Sequence, residues 1–307
     1  MANTILVLGA TGKQGGAVIN ALLASPDAKA ITICAVTRKP ESAAAKALVL
    51  KAPDQIKLMI GDLKDCPSIF ANAPLPIKRV FFVSIPDMGL MTDGTGEEVT
   101  GKALIDASLE HGVRHFVFTS VDRHGSDSDT NDTDVPHFWR KANIEKYLQE
   151  TSRGSQMTWT ILRPTAFMDN ISPGFAGNVF PTAWRVGLPP ETRLQFIALA
   201  DIGHFGAKAL LNPKTFAGRA ISLAGDELTF EEANAIFHTQ LGYDIPTTYN
   251  FVGSALLWAI KEVGLMFKFW EQVGYAADIA SMRKEYPGLL GFRDWLKTSS
   301  WVPKVAN

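Results

Sequence analysis

The chain has 307 residues, is 46% hydrophobic and 20% charged, and carries a formal net charge of -1. That balance fits a globular protein with a sizeable core and excludes the broad basic field that nucleic-acid backbones demand. Two cysteines, Cys34 and Cys66, exclude a disulfide framework or a cysteine-rich metal centre. Reduced thiols in the cytoplasm, with nuclear presence allowed, are expected.

In chain order, the first half alternates. TILVL (4–8), ITICAVT (31–37), IKLMI (56–60), RVFFVS (79–84), HFVFTS (115–120) and MTWTILRP (157–164) predict short buried strands. Between them GGAVINALLAS (15–25), ESAAAKALVLK (41–51), CPSIFANA (66–73), GEEVTGKALIDASLEHG (96–112) and HFWRKANIEKYLQE (137–150) predict helices. Apolar strands separated by helices imply a parallel sheet covered on both faces. Right-handed crossovers make it doubly wound. The expected class is α/β, a doubly wound parallel Rossmann sheet over 1–164 with a smaller C-terminal α/β lobe over 165–307. Residues 200–225 are expected to pack back on the first domain. The polar run GSDSDTNDTD (125–134) reads as a loop or lid. Residues 251–270 are the most membrane-like, but Lys261 and Glu262 in their middle favour an amphipathic or buried helix. The N-terminal run has no basic region ahead of it and makes a poor secretion signal.

The turn after the first strand, GATGKQGG (9–16), carries the chemistry. Gly9, Gly12 and Gly15 follow a strand and open a helix, as a dinucleotide fingerprint requires. Gly9 permits the tight turn. Gly12 lets backbone N–H groups approach a diphosphate, and Gly15 allows close helix–strand packing. Thr11, Lys13 and Gln14 are placed to bond phosphate or ribose. A purely structural turn is the alternative. An NAD site usually ends its second strand in a carboxylate. Here that strand ends in Thr37, Arg38 and Lys39. Arg38 suits a 2′-phosphate through two parallel hydrogen bonds, so NADP(H) is expected. Two solvated charges are the alternative. Asp62 and Leu63 would meet the adenine, with Asp62 equally able to form a turn. Ser84, Ile85 and Pro86 would line the nicotinamide-side ribose.

VLGATGKQGG, AVTRKP, GDLKD, HFWRKANIEKYL and ILRPTAFMDN occur in this order. The set resembles the NmrA-like proteins, atypical members of the short-chain dehydrogenase/reductase superfamily. The ending MFKFWEQVGYAADIASMRKEYPGLLGFRDWL resembles that family's own, so the likeness spans nearly the whole chain. It implies NADP(H) binding by a Rossmann domain with a small C-terminal lobe, and Pro164 joins the cofactor set. Some relatives reduce quinones, isoflavones, aryl ethers or dyes. Others regulate transcription or sense the NADPH/NADP+ ratio.

Ordinary members of the superfamily carry Tyr-x-x-x-Lys after a Ser. Here the matching segment is HFWRK: His137 replaces the Tyr and Lys141 is kept, with Ser120 the candidate Ser. Positions 137, 141, 144 and 148 share one helix face. Ile144 and Leu148 turn that face inward, so Lys141 needs a partner. Ribose hydroxyls would serve. Snorkelling to water is the alternative. His137 is either an acid–base group or a packing residue. Phe167, Asn170, Trp184, Phe269 and Trp270 are candidates for an apolar substrate pocket or for ordinary core. The expectation is an NADPH-dependent reductase of a small apolar acceptor. The alternative is a non-catalytic redox sensor acting through a protein partner. No metal, nucleic-acid or membrane partner is expected, and a monomer or homodimer is.

Overall fold

In the computed structural model, which describes residues 3–84, 95–131 and 133–302, strands and helices alternate through β6. They are β1 (Asn3–Val7), α1 (Lys13–Ala24), β2 (Ile31–Thr37), α2 (Ala43–Leu50), β3 (Ile56–Ile60), α3 (Cys66–Ala71), β4 (Arg79–Val83), α4 (Thr95–Glu110), β5 (His115–Thr119), α5 (Pro136–Ser152) and β6 (Thr158–Pro164). There follow β7 (Ala166–Phe167), α6 (Phe175–Gly187), β8 (Leu194–Ile197), α7 (Leu199–Leu211), α8 (Pro213–Phe216), β9 (Arg219–Leu223) and β10 (Asp226–Leu228). The chain ends with α9 (Phe230–Leu241), α10 (Asn250–Ala259), α11 (Lys261–Gln272), α12 (Ile279–Glu285) and α13 (Phe292–Thr298).

The seven-stranded sheet has the order β3-β2-β1-β4-β5-β6-β9. Every pairing from β3 to β6 is parallel. The order 3-2-1-4-5-6 is that of a Rossmann sheet, which reverses direction between β1 and β4 and binds ligands beyond the strand C-termini there. A second sheet, β10-β8-β7, is smaller and mixed.

The chain divides into two compact units. The first holds Met1–Val121, Arg140–Arg163 and Ile202–Ile221. Its central strands are largely buried because helices cover both faces, and β5 is buried throughout. Phe82 and Phe118 stack at 5.4 Å within its core, beside Ile144 and Leu148 of α5. At the sheet edge β3 instead leaves Lys57 and Ile60 exposed, and the Lys57 charge is of the kind that blunts an edge. From Ile202 on, α7 lies close against α1: a Cβ on Gly203 would come 2.5 Å from the Ala17 carbonyl oxygen.

The second unit holds Asp122–Trp139, Pro164–Asp201 and Ser222–Asn307. Its core is aromatic. Trp184 packs on Phe196 (4.8 Å) and Phe230 (5.4 Å), and Phe180 reaches both Trp184 and Trp270 at 6.4 Å. The membrane-like stretch is two helices, α10 and α11, bent by 103° about Ile260. Among the described residues no single helix is long and apolar enough to cross a membrane. The polar run after β5 is no open loop either. Gly125–Asp129 form a 3-10 turn with Gly125 and Ser128 buried. That turn is held by Asp122, whose carboxylate accepts from the backbone N–H groups of His124, Gly125 and Ala276 and from the Ser128 and Ser222 hydroxyls.

Candidate functional site

The glycine turn in the first unit is shaped by close backbone contacts. Gly9 has φ +67°, left-handed and natural to glycine. Gly12 donates its N–H to the Gly9 carbonyl (2.9 Å). A Cβ on Gly15 would come 2.3 Å from that same oxygen, so only glycine lets α1 start here. Gly12 caps α1 without a side-chain hydrogen bond, and the first turn has no acidic residue. The uncapped N–H groups therefore leave an anion-binding end. The buried Oε1 of Gln14 also has no partner among the described residues. A tight cradle and uncapped amides fit a dinucleotide diphosphate, and the orphaned Gln14 acceptor fits a ribose hydroxyl. Thr11, Gly12 and Lys13 are solvent-exposed.

Arg38 and Lys39 lie exposed just beyond β2. The Thr37 hydroxyl accepts from the Lys39 N–H (3.1 Å), which turns the chain there. Asp62 forms a turn: its Oδ1 accepts from the Lys64 N–H (3.0 Å). Leu63 packs half-buried on the core. Ile85 and Pro86 lie outside the described residues.

Lys141 is buried, as is the rest of its helix face. It does not snorkel to water, because it has partners within the fold. The Lys141 ammonium lies 2.6 Å from Glu97 Oε1 and also donates to Ser84 Oγ. Ser84 in turn donates to Glu97 Oε1 (2.6 Å). The Glu97 side chain is 0% exposed, and its Oε2 has no partner among the described residues. Sequence reasoning brought Ser84 and Lys141 to one cofactor edge but missed Glu97. The one signal for it was the acid pair opening GEEVTGK, which reads locally as helix-dipole compensation. Ser120 follows β5, is buried, and its hydroxyl has no partner among the described residues. Burial raises the thiols of Cys34 and Cys66 to about 11, so neither is a nucleophile near neutrality.

In the second unit, His137 sits in the first turn of α5 with Nδ1 3.1 Å from Glu262 Oε2 of α11. Glu262 was read only as a charge interrupting an apolar run. Its carboxylate orients the imidazole, as a carboxylate beside a functional histidine does. Phe138 makes edge contact with Phe269 (5.4 Å). Phe269 also lines a cavity of about 120 Å³ with Val135, Leu265 and Gln272. Trp184 and Trp270 are sealed in the ring cluster. Phe167 and Asn170 are half-buried. Pro164 is buried, and its carbonyl accepts from the Asp122 N–H (3.2 Å).

A model of the NmrA-like family matches residues 1–292. An NmrA-like family domain-containing oxidoreductase of a Cladobotryum species is 27% identical over 305 residues, covering 88% of this chain and 84% of the relative. Among solved structures, a triphenylmethane reductase from Citrobacter sp. complexed with NADP(H) superposes with a TM-score of 0.70 at 18% identity. That match covers 96% of this chain and 99% of the other. NmrA, a negative transcriptional regulator in complex with NADP, superposes with a TM-score of 0.65 at 18% identity, covering 96% and 94%.

Proposed function

The chain belongs to the NmrA-like family, and from that premise we propose that it is an NADP(H)-dependent oxidoreductase acting on a small, largely apolar acceptor: a quinone, enone, imine or carbonyl compound. The observation that carries this reading is the buried Lys141–Ser84 pair, in the same unit as an uncapped glycine turn. A lysine kept this deep in a fold is costly unless it has polar work to do. The oxidoreductase relative and the NADP(H)-bound reductase support the reading.

The N–H groups of the turn from Gly9 to Gly15 would hold the diphosphate, and Arg38 the 2′-phosphate. Lys141 and Ser84 would hold the nicotinamide-side ribose. NADPH, when bound, supplies the hydride. The proton that completes reduction would come from Ser120, from His137 held by Glu262, or from water.

A second reading has its own support. No Tyr stands four residues before Lys141, and NmrA, a negative transcriptional regulator, was crystallised in complex with NADP. A sensor would bind the cofactor and signal its redox state to a protein partner. Incubating the protein and its Lys141→Ala variant with NADPH and a panel of quinones, enones, imines and ketones separates the two. The enzyme reading expects acceptor-dependent NADPH oxidation that falls roughly a hundredfold in the variant. No oxidation with any acceptor, together with different affinities for NADPH and NADP+, would establish the sensor instead.

A further inference from the structure

We propose that Glu97 is the positioning residue for Lys141: it holds the ammonium in place and aimed, and it sets how tightly the first unit grips the nicotinamide-side ribose. The inference rests on the reading of Lys141 as a ribose-holding group and adds a residue that this reading does not contain.

The side-chain contacts of Glu97 are with this constellation. Oε1 accepts from Lys141 and Ser84, both at 2.6 Å, and Oε2 has no partner among the described residues. A carboxylate placed for structure alone would cap a helix or bind backbone amides, and among the described residues the side chain of Glu97 does neither. An ammonium has three donors. Ser84 and Glu97 take two, which leaves one for a ligand hydroxyl without breaking the ion pair.

Helix packing sets the distance. Glu97 and Gly101 lie one turn apart on α4. A Cβ on Gly101 would come 2.7 Å from Ile144 Cδ1, so glycine lets α4 and α5 approach closely. Ile144 is one turn beyond Lys141. Further along, Asn143 Nδ2 donates to Glu98 Oε2 (3.0 Å), and the Tyr147 hydroxyl donates to Asp106 Oδ1 (2.7 Å). The two helices are thus joined at several points, and Glu97 cannot drift from Lys141 without moving the whole contact.

The test is a double-mutant cycle read as NADPH affinity by fluorescence titration, with a melting curve for each protein. The four proteins are the wild type, Glu97→Gln, Lys141→Met and the double variant. Glu97→Gln is expected to weaken NADPH about tenfold, and to weaken it less than twofold once Lys141 is methionine. Equal losses in both backgrounds, or no loss in the first, overturn the proposal while leaving the cofactor reading standing. A wild type that binds no NADPH overturns both. Should Glu97→Gln fail to fold, Glu97→Asp keeps the charge on a shorter arm and carries the same cycle. Its smaller loss is expected to vanish in the Lys141→Met background, and an unchanged loss there overturns the proposal.

Discussion

The two units hold their buried carboxylates differently. In the first, ionic side chains are paired with one another: Lys141 with Glu97, and Arg163 with Glu145 at 2.5 Å. In the second, His137 pairs with Glu262, yet two buried carboxylates are held largely by the backbone: Asp122 accepts three N–H groups, and Asp201 accepts from the Leu290 N–H (3.0 Å). A side-chain pair can admit a ligand group as a further partner. A carboxylate bonded to amides shapes a loop, and its loss unbuilds that loop. On that difference, loss of the Lys141 counter-charge is expected to show in ligand affinity and loss of Asp122 in stability.

The largest expected effect tests the second half of that contrast. Asp122→Ala leaves several buried donors unmatched and is expected to cost on the order of 5 kcal/mol, read by urea unfolding. A loss below about 1 kcal/mol would break the comparison. Next, Arg163→Met strands Glu145 and is expected to cost about 3–4 kcal/mol. Adding Glu145→Leu recovers most of that, because two apolar groups can replace a buried pair. If the double variant is no better than the single, apolar groups cannot replace the Arg163–Glu145 pair.

One buried group in each unit gives stability an opposite dependence on pH. Burial, helped by the nearby Arg79, lowers the pKa of His115 from 6.5 to about 4. Between those values the unfolded chain binds a proton that the fold refuses. The contribution of His115 is therefore complete above 6.5 and lost as pH falls towards 4, roughly 3 kcal/mol in all. Asp201 in the second unit runs the other way. Burial raises its carboxyl from 3.8 to about 7 despite the Leu290 hydrogen bond. Its contribution is complete below 3.8 and lost as pH rises through 7. Asp201→Asn keeps an acceptor for Leu290 and is expected to stabilise the protein by roughly 2–3 kcal/mol at pH 8, with no gain at pH 4. Melting temperatures against pH for the wild type, His115→Gln and Asp201→Asn check both windows. The smallest effect sharpens the ligand side. Arg38→Ala is expected to weaken NADPH about tenfold, ~1.4 kcal/mol, and NADH hardly at all. Equal weakening in a titration would deny Arg38 the 2′-phosphate.

Much of the first unit was legible because its signals are local. The strand–glycine–helix turn spans residues that touch along the chain, and its spacing is enforced by contacts such as Gly15 against the Gly9 carbonyl. The inward face of α5 follows from a 3.6-residue period, and Lys141, Ile144 and Leu148 are all buried. The parallel, doubly wound class followed from alternation and handedness. The second unit was less legible, since its core is an aromatic cluster without period and its polar anchors are distant in sequence. Asp122 meets Ala276 across 154 positions, and His137 meets Glu262 across 125.

By itself, then, the sequence determined the Rossmann alternation, the glycine cradle, the basic end of β2 and the burial of Lys141. Each of these is set by neighbours within a few residues or by one helical or strand period. Only the tertiary structure decided what Lys141 is buried against. Glu97, 44 positions earlier, opens a helix like many surface acids. It becomes the counter-charge because Gly101 lets α4 lie close enough on α5 to exclude water between them.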